Sequence, residues 1–505
     1  MFSQLEWHDS LTPLVICGWL MFVVAIKLIY HRSSLCRMLP ESALLILFGL
    51  LAGYILDHIF YWDLFLHPDL FFLYLLPPIA LEAGFCLPFE LFMRNIGTIL
   101  LYAIIGTCLN ILAISGLLWF FSPYYEFSIP YIDLLLFSTL ISAVDPVAVI
   151  SVFEEIHVNQ LLYINVFGES LLNDAVVIVL YHSLAGMAKI GQENIIQEDI
   201  NQALLSFSMV ASGGIVIGLL FVVFTGAVTR LTAKIPSMQP LATLLIPYTC
   251  YLVCENVHMS GIIGIVTCGL MMKPYVEGNS SDAVRTTTKH FMKTISHTCE
   301  SIIFLFLGLS TFSKNHQWDF IFAAVTVASC FFVRYVVVFT LTWLVNKNRE
   351  KKISIKDTII IGYGGLRGAI CYGLVQTLED DVILSKDMMI TTSIIVIIFT
   401  VFIQGSTMKY LVRLLRVKVE EPHQKTITQR IMKDIFANDL MCGIESIVGV
   451  RGPQFYRRRL SAFNHNVLEP NLMVNPSSRG ERLVQKVYEM NANDARRRLL
   501  ETEEP

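Results

Sequence analysis

Residues 161–188 read LLYINVFGESLLNDAVVIVLYHSLAGMA, an apolar stretch long enough to cross a bilayer as a helix. Glu169, Ser170, Asn173 and Asp174 interrupt its apolar character. Ionisable groups are costly at bilayer depth, so they mark candidate functional sites. Ser170 and Asp174 are four residues apart and therefore share one face of a helix. The stretch thus predicts a membrane-spanning helix that carries a polar site.

Similar apolar stretches recur on both sides of this one, from residue 11 to residue 415. The 505 residues are 54% hydrophobic and 15% charged, with a mean hydropathy of +0.60, whereas soluble proteins carry about 25% charged residues. The pattern predicts an all-α polytopic membrane protein with about thirteen transmembrane helices. The expected spans lie near residues 11–30, 40–60, 68–85, 95–121, 131–153, 161–188, 203–228, 239–256, 258–273, 289–312, 318–345, 356–378 and 388–414.

Basic residues predict the orientation of these spans, because cytoplasmic loops are enriched in Lys and Arg. Arg32 and Arg37 follow the first span, and Lys409 and Arg413 lie at the exit of the last one. The N-terminus is therefore expected outside and the C-terminus in the cytoplasm. The one glycosylation sequon begins at Asn279, falls in a predicted cytoplasmic loop and is expected to be unused.

Two domains are expected, a transmembrane domain over 1–415 and a cytoplasmic regulatory tail over 416–505. Apolar residues at helical spacing within 426–448 form a stripe that needs a cover, either a partner protein, the membrane domain or lipid. Arg457–Arg459 could contact anionic lipid or form a solvated face, and residues 470–505 are polar and predicted to be largely disordered. The stripe consists of Ile427, Ile431, Ile435, Phe436, Leu440 and Ile444.

Two further spans contain charge beside a helix breaker. In the fifth span Asp145 precedes Pro146, and in the twelfth Arg367 stands among glycines at 364, 365 and 368. Proline and glycine disfavour a continuous helix, so both spans are predicted to be broken at membrane depth. Interruptions at corresponding positions of two halves are typical of inverted-repeat transporters with an ion site between the halves. A kinked helix with a capping aspartate is the alternative for the fifth span.

Other intramembrane charges need partners, because an unpaired buried charge is costly. Arg334 in the eleventh span is a candidate partner for Glu169, which would leave Asp174 free to exchange ions. Glu300 in the tenth span is a further intramembrane charge. A carboxylate, an amide and a hydroxyl supply hard oxygen ligands suited to sodium, lithium or a proton. Competition of a cation and a proton for Asp174 would couple the two ions. A polar clamp between helices is the alternative interpretation.

Five motifs resemble the animal sodium/proton exchanger family, and their wording is closest to its plasma-membrane branch. They are LFFLYLLPPI at 70–79, ISAVDPVAV at 141–149, VFEEIH at 152–157, FGESLLNDA at 167–175 and YGGLRGAI at 363–370. Through this resemblance, which covers the membrane part and the first stretch of tail, the chain is identified as a member of that family.

The resemblance implies electroneutral exchange of one sodium for one proton by a homodimer with an elevator-like motion. It implies that Asp174 binds the ion, with Asn173, Asp145, Glu169 and Ser170 at the site and sodium at Asp174, Asp145 and Ser170. No cofactor is implied. It further implies that a calcineurin-B-homologous EF-hand protein binds 426–448. Glu82 and Phe85 depart from the family pattern near the blocker segment, which comprises Phe71, Phe72, Leu73, Tyr74 and Gly84.

The leading hypothesis is therefore a secondary transporter, not an enzyme, that exchanges external sodium for internal protons at the plasma membrane and regulates intracellular pH and volume. An endosomal potassium/proton exchanger is the alternative within transport. A channel is disfavoured because no selectivity-filter segment is recognisable, and a non-transporting scaffold would not need Asp145, Glu169 and Asp174 in lipid. A net charge of −4 without a basic bias disfavours nucleic acid as a partner.

Overall fold

The structure is a computed structural model, and its description extends over the following residues: 7–32, 39–55, 58, 67–127, 129–145, 149–150, 152–153, 158–190, 197–311, 316–347, 349, 352–378, 383, 385–417, 444, 447–448, 459–460 and 462–474. Helices dominate this part of the chain, in agreement with the predicted all-α class. The α-helices are α1 (Trp7–Arg32), α2 (Glu41–Ile55), α3 (Leu76–Cys86), α4 (Phe89–Leu100), α5 (Thr107–Phe120), α6 (Tyr131–Ile141), α7 (Gln160–Ile190), α8 (Gln197–Leu231), α9 (Gln239–Asn256), α10 (Gly261–Asn279), α11 (Asp282–Ser310), α12 (Phe320–Lys347), α13 (Ile355–Tyr363), α14 (Ala369–Gln376), α15 (Lys386–Phe399), α16 (Ser406–Leu415) and α17 (Glu469–Leu472).

Every predicted span overlaps at least one of these helices. Five helical segments of the described residues are long and apolar enough to cross a membrane, and four shorter ones are apolar. The number of spans stays a prediction. The long segments are Leu91–Phe120, Gln160–Lys189, Asn201–Lys234, Phe320–Lys347 and Lys386–Leu415.

Several of these helices contain π-helical turns, in which the backbone hydrogen bonds are wider than in an α-helix. One such turn, Leu70–Leu75, leads into α3, and another, Thr400–Gly405, joins α15 to α16. Leu101–Gly106 likewise joins α4 to α5. Turns of this kind are frequent at functional sites, and the one at Thr400–Gly405 lies next to the broken helix described below.

Both predicted helix breaks are present. Helix α6 ends at Ile141, and the chain then runs through a turn and non-helical residues to Asp145. Between α13 and α14 the residues Gly364–Gly368 are not helical. Glycine suits the second break because it has no side chain to crowd the backbones that meet there.

The chain divides into two compact units. The first comprises residues 1–221, 247–271 and 289–419, and the second comprises residues 222–246, 272–288 and 420–505. In the first unit a buried apolar cluster holds α7 against α4, with Gly168 facing Phe92 and Ile99. The cluster contains Leu87, Phe92, Ile99, Ile164, Phe167 and Leu270.

Asn279, expected in a loop, is the last residue of α10 and is buried in the second unit. Its amide nitrogen donates to the carbonyl of Leu472 at 2.8 Å, and its amide oxygen accepts from the backbone of Val474 at 2.8 Å. The same nitrogen reaches Thr229 Oγ1 at 3.1 Å. A tail segment, residues 462–474, is thereby tied to α8 and α10.

Most of the predicted partner-binding stripe lies outside the described residues, namely Ile427, Ile431, Ile435, Phe436 and Leu440. Ile444 is described, and its side chain is exposed. Arg459 is described and exposed, whereas Arg457 and Arg458 lie outside the described part. The proposed roles of these residues stay predictions.

Candidate functional site

Asp174 lies in the middle of α7 with its side chain almost wholly buried. The backbone N–H of Val144, in the first helix break, donates a hydrogen bond to its carboxylate, and Asp145 and Arg367 are its charged neighbours. Among the described residues, Oδ1 of Asp174 receives no hydrogen bond. A buried carboxylate oxygen without a donor is costly, and a bound cation or proton would remove that cost.

Asn173 and Arg367 meet at one carbonyl oxygen, that of Ser142. Asn173 Nδ2 donates to it at 3.2 Å and Arg367 Nη1 at 2.8 Å. The same Nη1 lies 3.2 Å from the carbonyl oxygen of Ala143. These carbonyls follow the end of α6 and have lost their helical partners. The three polar clusters predicted from sequence therefore converge here, each from a different span.

The two helix breaks also touch directly. The backbone N–H of Asp145 donates to the carbonyl oxygen of Leu366 at 2.8 Å. Gly368 faces the Asp145 side chain so closely that a Cβ at residue 368 would overlap the carboxylate. Glycine at 368 is thus required by the close approach of the two chain segments.

Glu169 and Arg334 form a buried ion pair with Oε1 2.5 Å from Nη1. Arg334 Nη2 also donates to the carbonyl oxygen of Ile361, at 3.4 Å. Gly365 lies against the stem of the arginine, where a Cβ would come within 3.0 Å of Nε. Such a pair compensates two buried charges and joins α7 to α12. The charge of Glu169 is therefore compensated by a direct ion pair with an arginine, whereas Asp174 forms no such pair among the described residues.

A cavity of about 430 Å³ connects the carboxylates to a group of charged side chains. Asp145 and Asp174 both line this cavity. Ser170 is buried one turn before Asp174 but does not line the cavity, so the structure does not bring it together with the two aspartates there. The other acidic, basic and histidine residues that line it are Glu41, Glu82, Lys289, Lys293, His297 and Glu300.

Glu300, expected as an intramembrane charge, lies beside His297 on α11, with Oε2 3.1 Å from Nδ1. Glu82, which is half-buried, lines the same cavity and accepts a hydrogen bond from Cys86 Sγ at 3.1 Å. His297 was not among the residues predicted from the sequence. Its spacing of three residues from Glu300, one helical turn, is the signal that could have found it.

The segment assigned to blocker binding is shaped by Pro77 and Pro78, which have no N–H to donate to the preceding turn. The carbonyl oxygens of Phe72 and Leu73 accept instead from Tyr251 at 2.9 Å and Tyr248 at 2.8 Å. These tyrosines were also missed, because only the fold brings α9 beside the prolines.

The other residues of that segment have different environments. Phe71 is fully buried and lines the same cavity as Asp174, and its ring faces Gly373. Tyr74 is exposed, and Gly84 lies against the backbone of α10 at Val266. Of Phe71, Phe72, Leu73, Tyr74 and Gly84, only Phe71 thus lines the cavity that contains the two carboxylates.

This arrangement can hold a small hard cation or a proton. Asp174 Oδ1 and Asn173 Oδ1, which accept no hydrogen bond from the described residues, are ligands that sodium accepts. Arg367 is held by backbone carbonyls and provides fixed positive charge nearby, which offsets one of the two aspartates. The other carboxylate can then bind a cation or a proton in turn.

Comparison with known proteins agrees with this chemistry. The family described as "Sodium/hydrogen exchanger, transmembrane" matches residues 19–414. The chain is 42% identical over 471 residues to the Caenorhabditis elegans "Probable Na(+)/H(+) antiporter nhx-3", covering 93% of this chain and 70% of that one. It is 38% identical over 500 residues to sodium/hydrogen exchanger 3 of Didelphis virginiana and 37% identical over 500 residues to human sodium/hydrogen exchanger 5. The chain covers 59% and 56% of these two relatives, respectively, and 97% of its own length is matched in each case.

Among solved structures, the sodium proton antiporter MjNhaP1 from Methanocaldococcus jannaschii superimposes with a TM-score of 0.61 at 19% identity. The match covers 81% of this chain and 99% of that one. The likeness concerns the fold alone, and it agrees with the antiporter architecture predicted from the two broken spans.

Proposed function

The chain belongs to the sodium/hydrogen exchanger family of membrane transporters, and on that premise we propose that it exchanges one external sodium ion for one internal proton at the plasma membrane. The observation that carries the proposal is the position of Asp174, which lines a cavity together with Asp145 and has an oxygen without a hydrogen-bond donor. Exchange of this kind would regulate intracellular pH, sodium and volume.

Coupling follows from competition for one carboxylate. Sodium and a proton each neutralise Asp174, and a buried ionised carboxylate without either is unfavourable. The site that contains Asp174 therefore changes its accessible side of the membrane only with sodium or a proton bound, which prevents leak of either ion. Val144 orients the carboxylate, and Asn173 offers its amide oxygen as a further ligand.

Electroneutrality follows from the charges that stay constant. Arg334 compensates Glu169, and Arg367 stays beside the two aspartates throughout. Only the occupant of Asp174 changes, from one sodium to one proton, so the loaded site has the same charge in both directions. Asn173 is neutral, so it adds no second charge that would make the cycle electrogenic.

The topology and partners complete the proposal. We place the N-terminus outside and the C-terminus in the cytoplasm, so that Lys289 and Lys293 mark the cytoplasmic side of the cavity. The protein would act as a homodimer and bind a calcineurin-B-homologous EF-hand protein through 426–448. The alternative, potassium/proton exchange in an endosomal membrane, is favoured by no contact in the described site, because the oxygen ligands suit either ion.

The test is recovery of cytoplasmic pH after an acid load in exchanger-null cells that express the chain, with and without external sodium. We expect recovery that requires sodium, is insensitive to membrane potential and disappears in Asp174→Asn at equal surface amount. Normal recovery in Asp174→Asn would overturn the assignment of the ion carrier. Recovery supported by potassium, or protein confined to internal membranes, would favour the endosomal alternative.

A further inference from the structure

The break between α13 and α14 leaves backbone groups that need partners, because water is scarce at bilayer depth. Several find them within the break or across it: Gly364 N–H bonds the carbonyl oxygen of Ile360, Leu366 N–H bonds that of Gly364, and the Leu366 carbonyl bonds Asp145. The backbone groups of Tyr363, the last residue of α13, and of Arg367, within the break, bond to side chains of another helix instead.

That helix is the last apolar one, at its π-helical turn Thr400–Gly405. Thr400 Oγ1 accepts from the backbone N–H of Arg367 at 3.3 Å and lies 3.4 Å from its carbonyl oxygen. Gln404 donates from Nε2 to the carbonyl oxygen of Tyr363. Both side chains are buried, with 6% exposure each. A buried amide or hydroxyl is tolerated where it is hydrogen-bonded, and these two bond to the residue just before the break, Tyr363, and to Arg367 within it.

The position of this backbone determines the geometry of the ion site. The Arg367 side chain extends from it to the carbonyl oxygens of Ser142 and Ala143. The neighbouring residue Leu366 holds the backbone of Asp145, whose carboxylate faces Gly368. A displacement of residues 363–367 would therefore move Arg367 and Asp145 together, both of them charged neighbours of Asp174.

We propose that Thr400 and Gln404 are positioning residues for ion binding: they brace the broken helix so that Arg367 and Asp145 keep the geometry that gives Asp174 its sodium affinity. The proposal rests on the exchange function proposed above. Neither side chain lines the cavity that contains Asp145 and Asp174, so their effect is exerted through the backbone they hold. Loss of such an outer partner typically lowers metal affinity by about 10–100-fold.

The experiment compares Thr400→Val and Gln404→Met, which keep size but lose the polar group, with Thr400→Ser, which keeps the hydroxyl. Thr326→Val is the matched control, because Thr326 is equally buried and its hydroxyl donates only to its own helix at Phe322. The sodium KM and the maximal exchange rate per surface molecule are measured in each. The sodium concentration that gives half of the full thermal stabilisation of the purified protein reports affinity without transport.

We expect Thr400→Val and Gln404→Met to raise the sodium KM and the half-stabilising concentration by about tenfold or more, with Thr400→Ser and Thr326→Val near wild type. A purely structural role would lower melting temperature or surface amount and leave both sodium concentrations unchanged, which overturns the inference. Failure of Thr400→Ser to restore the wild-type values does the same. If sodium neither drives exchange nor stabilises the wild-type protein, both the proposed function and the inference are wrong. If sodium does both in the wild type and the variants have the same sodium KM and half-stabilising concentration, only the inference is wrong.

Discussion

Glu169 on α7 and Arg334 on α12 form an ion pair with Oε1 2.5 Å from Nη1 and almost no exposure of either side chain. Breaking a buried pair leaves one charge without its partner, which costs about 3–5 kcal/mol. We therefore expect Glu169→Gln to lower the free energy of unfolding by about that amount and the melting temperature in detergent accordingly. Exchange per folded molecule should fall less than in Asp174→Asn.

The control for this prediction is the double variant Glu169→Leu with Arg334→Met, which removes both charges. Replacing a buried pair with apolar residues is often neutral for stability, so much of the lost melting temperature should return. A Glu169→Gln protein that melts normally and does not transport would instead place Glu169 among the ion ligands.

Asn173 tests the charge argument for electroneutral exchange. Asn173→Asp adds a second titratable group beside Asp174, and a cycle that carries one more charge should respond to voltage. We expect the exchange rate of this variant, reconstituted in liposomes, to change when a potassium diffusion potential is imposed. The wild-type rate should not change.

The matched control is Asn165→Asp, the same substitution two turns earlier on α7, at an equally buried position that is nine residues from Asp174 instead of next to it. Its exchange should stay insensitive to voltage, whatever its stability. If Asn173→Asp is also insensitive, residue 173 does not decide the stoichiometry of charge.

The sequence was sufficient to predict the breaks after Ile141 and Tyr363, because proline and glycine beside charge are local signals. It also predicted Arg334 as the partner of Glu169, since few charges are available in apolar spans. It could not show that Asn173 and Arg367 share the Ser142 carbonyl. That contact depends on how three spans pack and leaves no local pattern.

Side chains that hydrogen-bond to backbone groups far away in the sequence were not predicted, because these contacts also depend on packing and leave no local pattern. Thr400 and Gln404 stand in an apolar helix where threonine and glutamine are unremarkable, and they bond residues more than thirty positions away. Asn279 was interpreted only as an unused sequon in a loop, whereas it ends α10 and binds a tail segment whose course the sequence did not predict.

Gly368 provides a test of the contact between the two breaks. A Cβ at residue 368 would overlap the Asp145 carboxylate, so Gly368→Ala should displace Asp145 and abolish most sodium-dependent exchange. The matched control is Gly116→Ala on α5, where nothing lies within 4 Å of the added carbon. Alanine is favoured over glycine inside a helix by about 0.5–1 kcal/mol, so this control should transport normally and melt slightly higher. Normal exchange by Gly368→Ala would show that the ion site tolerates a wider separation of the two helix breaks.

Asn279 makes hydrogen bonds to two residues of the tail segment 462–474, so its loss should release that segment. Asn279→Ala removes the donor to the carbonyl oxygen of Leu472, at about 1–3 kcal/mol for this buried group, and the acceptor of the Val474 N–H. We expect a lower melting temperature and faster proteolysis within 462–474. Ser281→Ala is the control, because it destroys the sequon and keeps Asn279. If Ser281→Ala increases electrophoretic mobility in the way that loss of a glycan does, Asn279 is glycosylated and the buried contact does not form. If mobility is unchanged and proteolysis becomes faster only in Asn279→Ala, the result supports an asparagine that holds the tail segment.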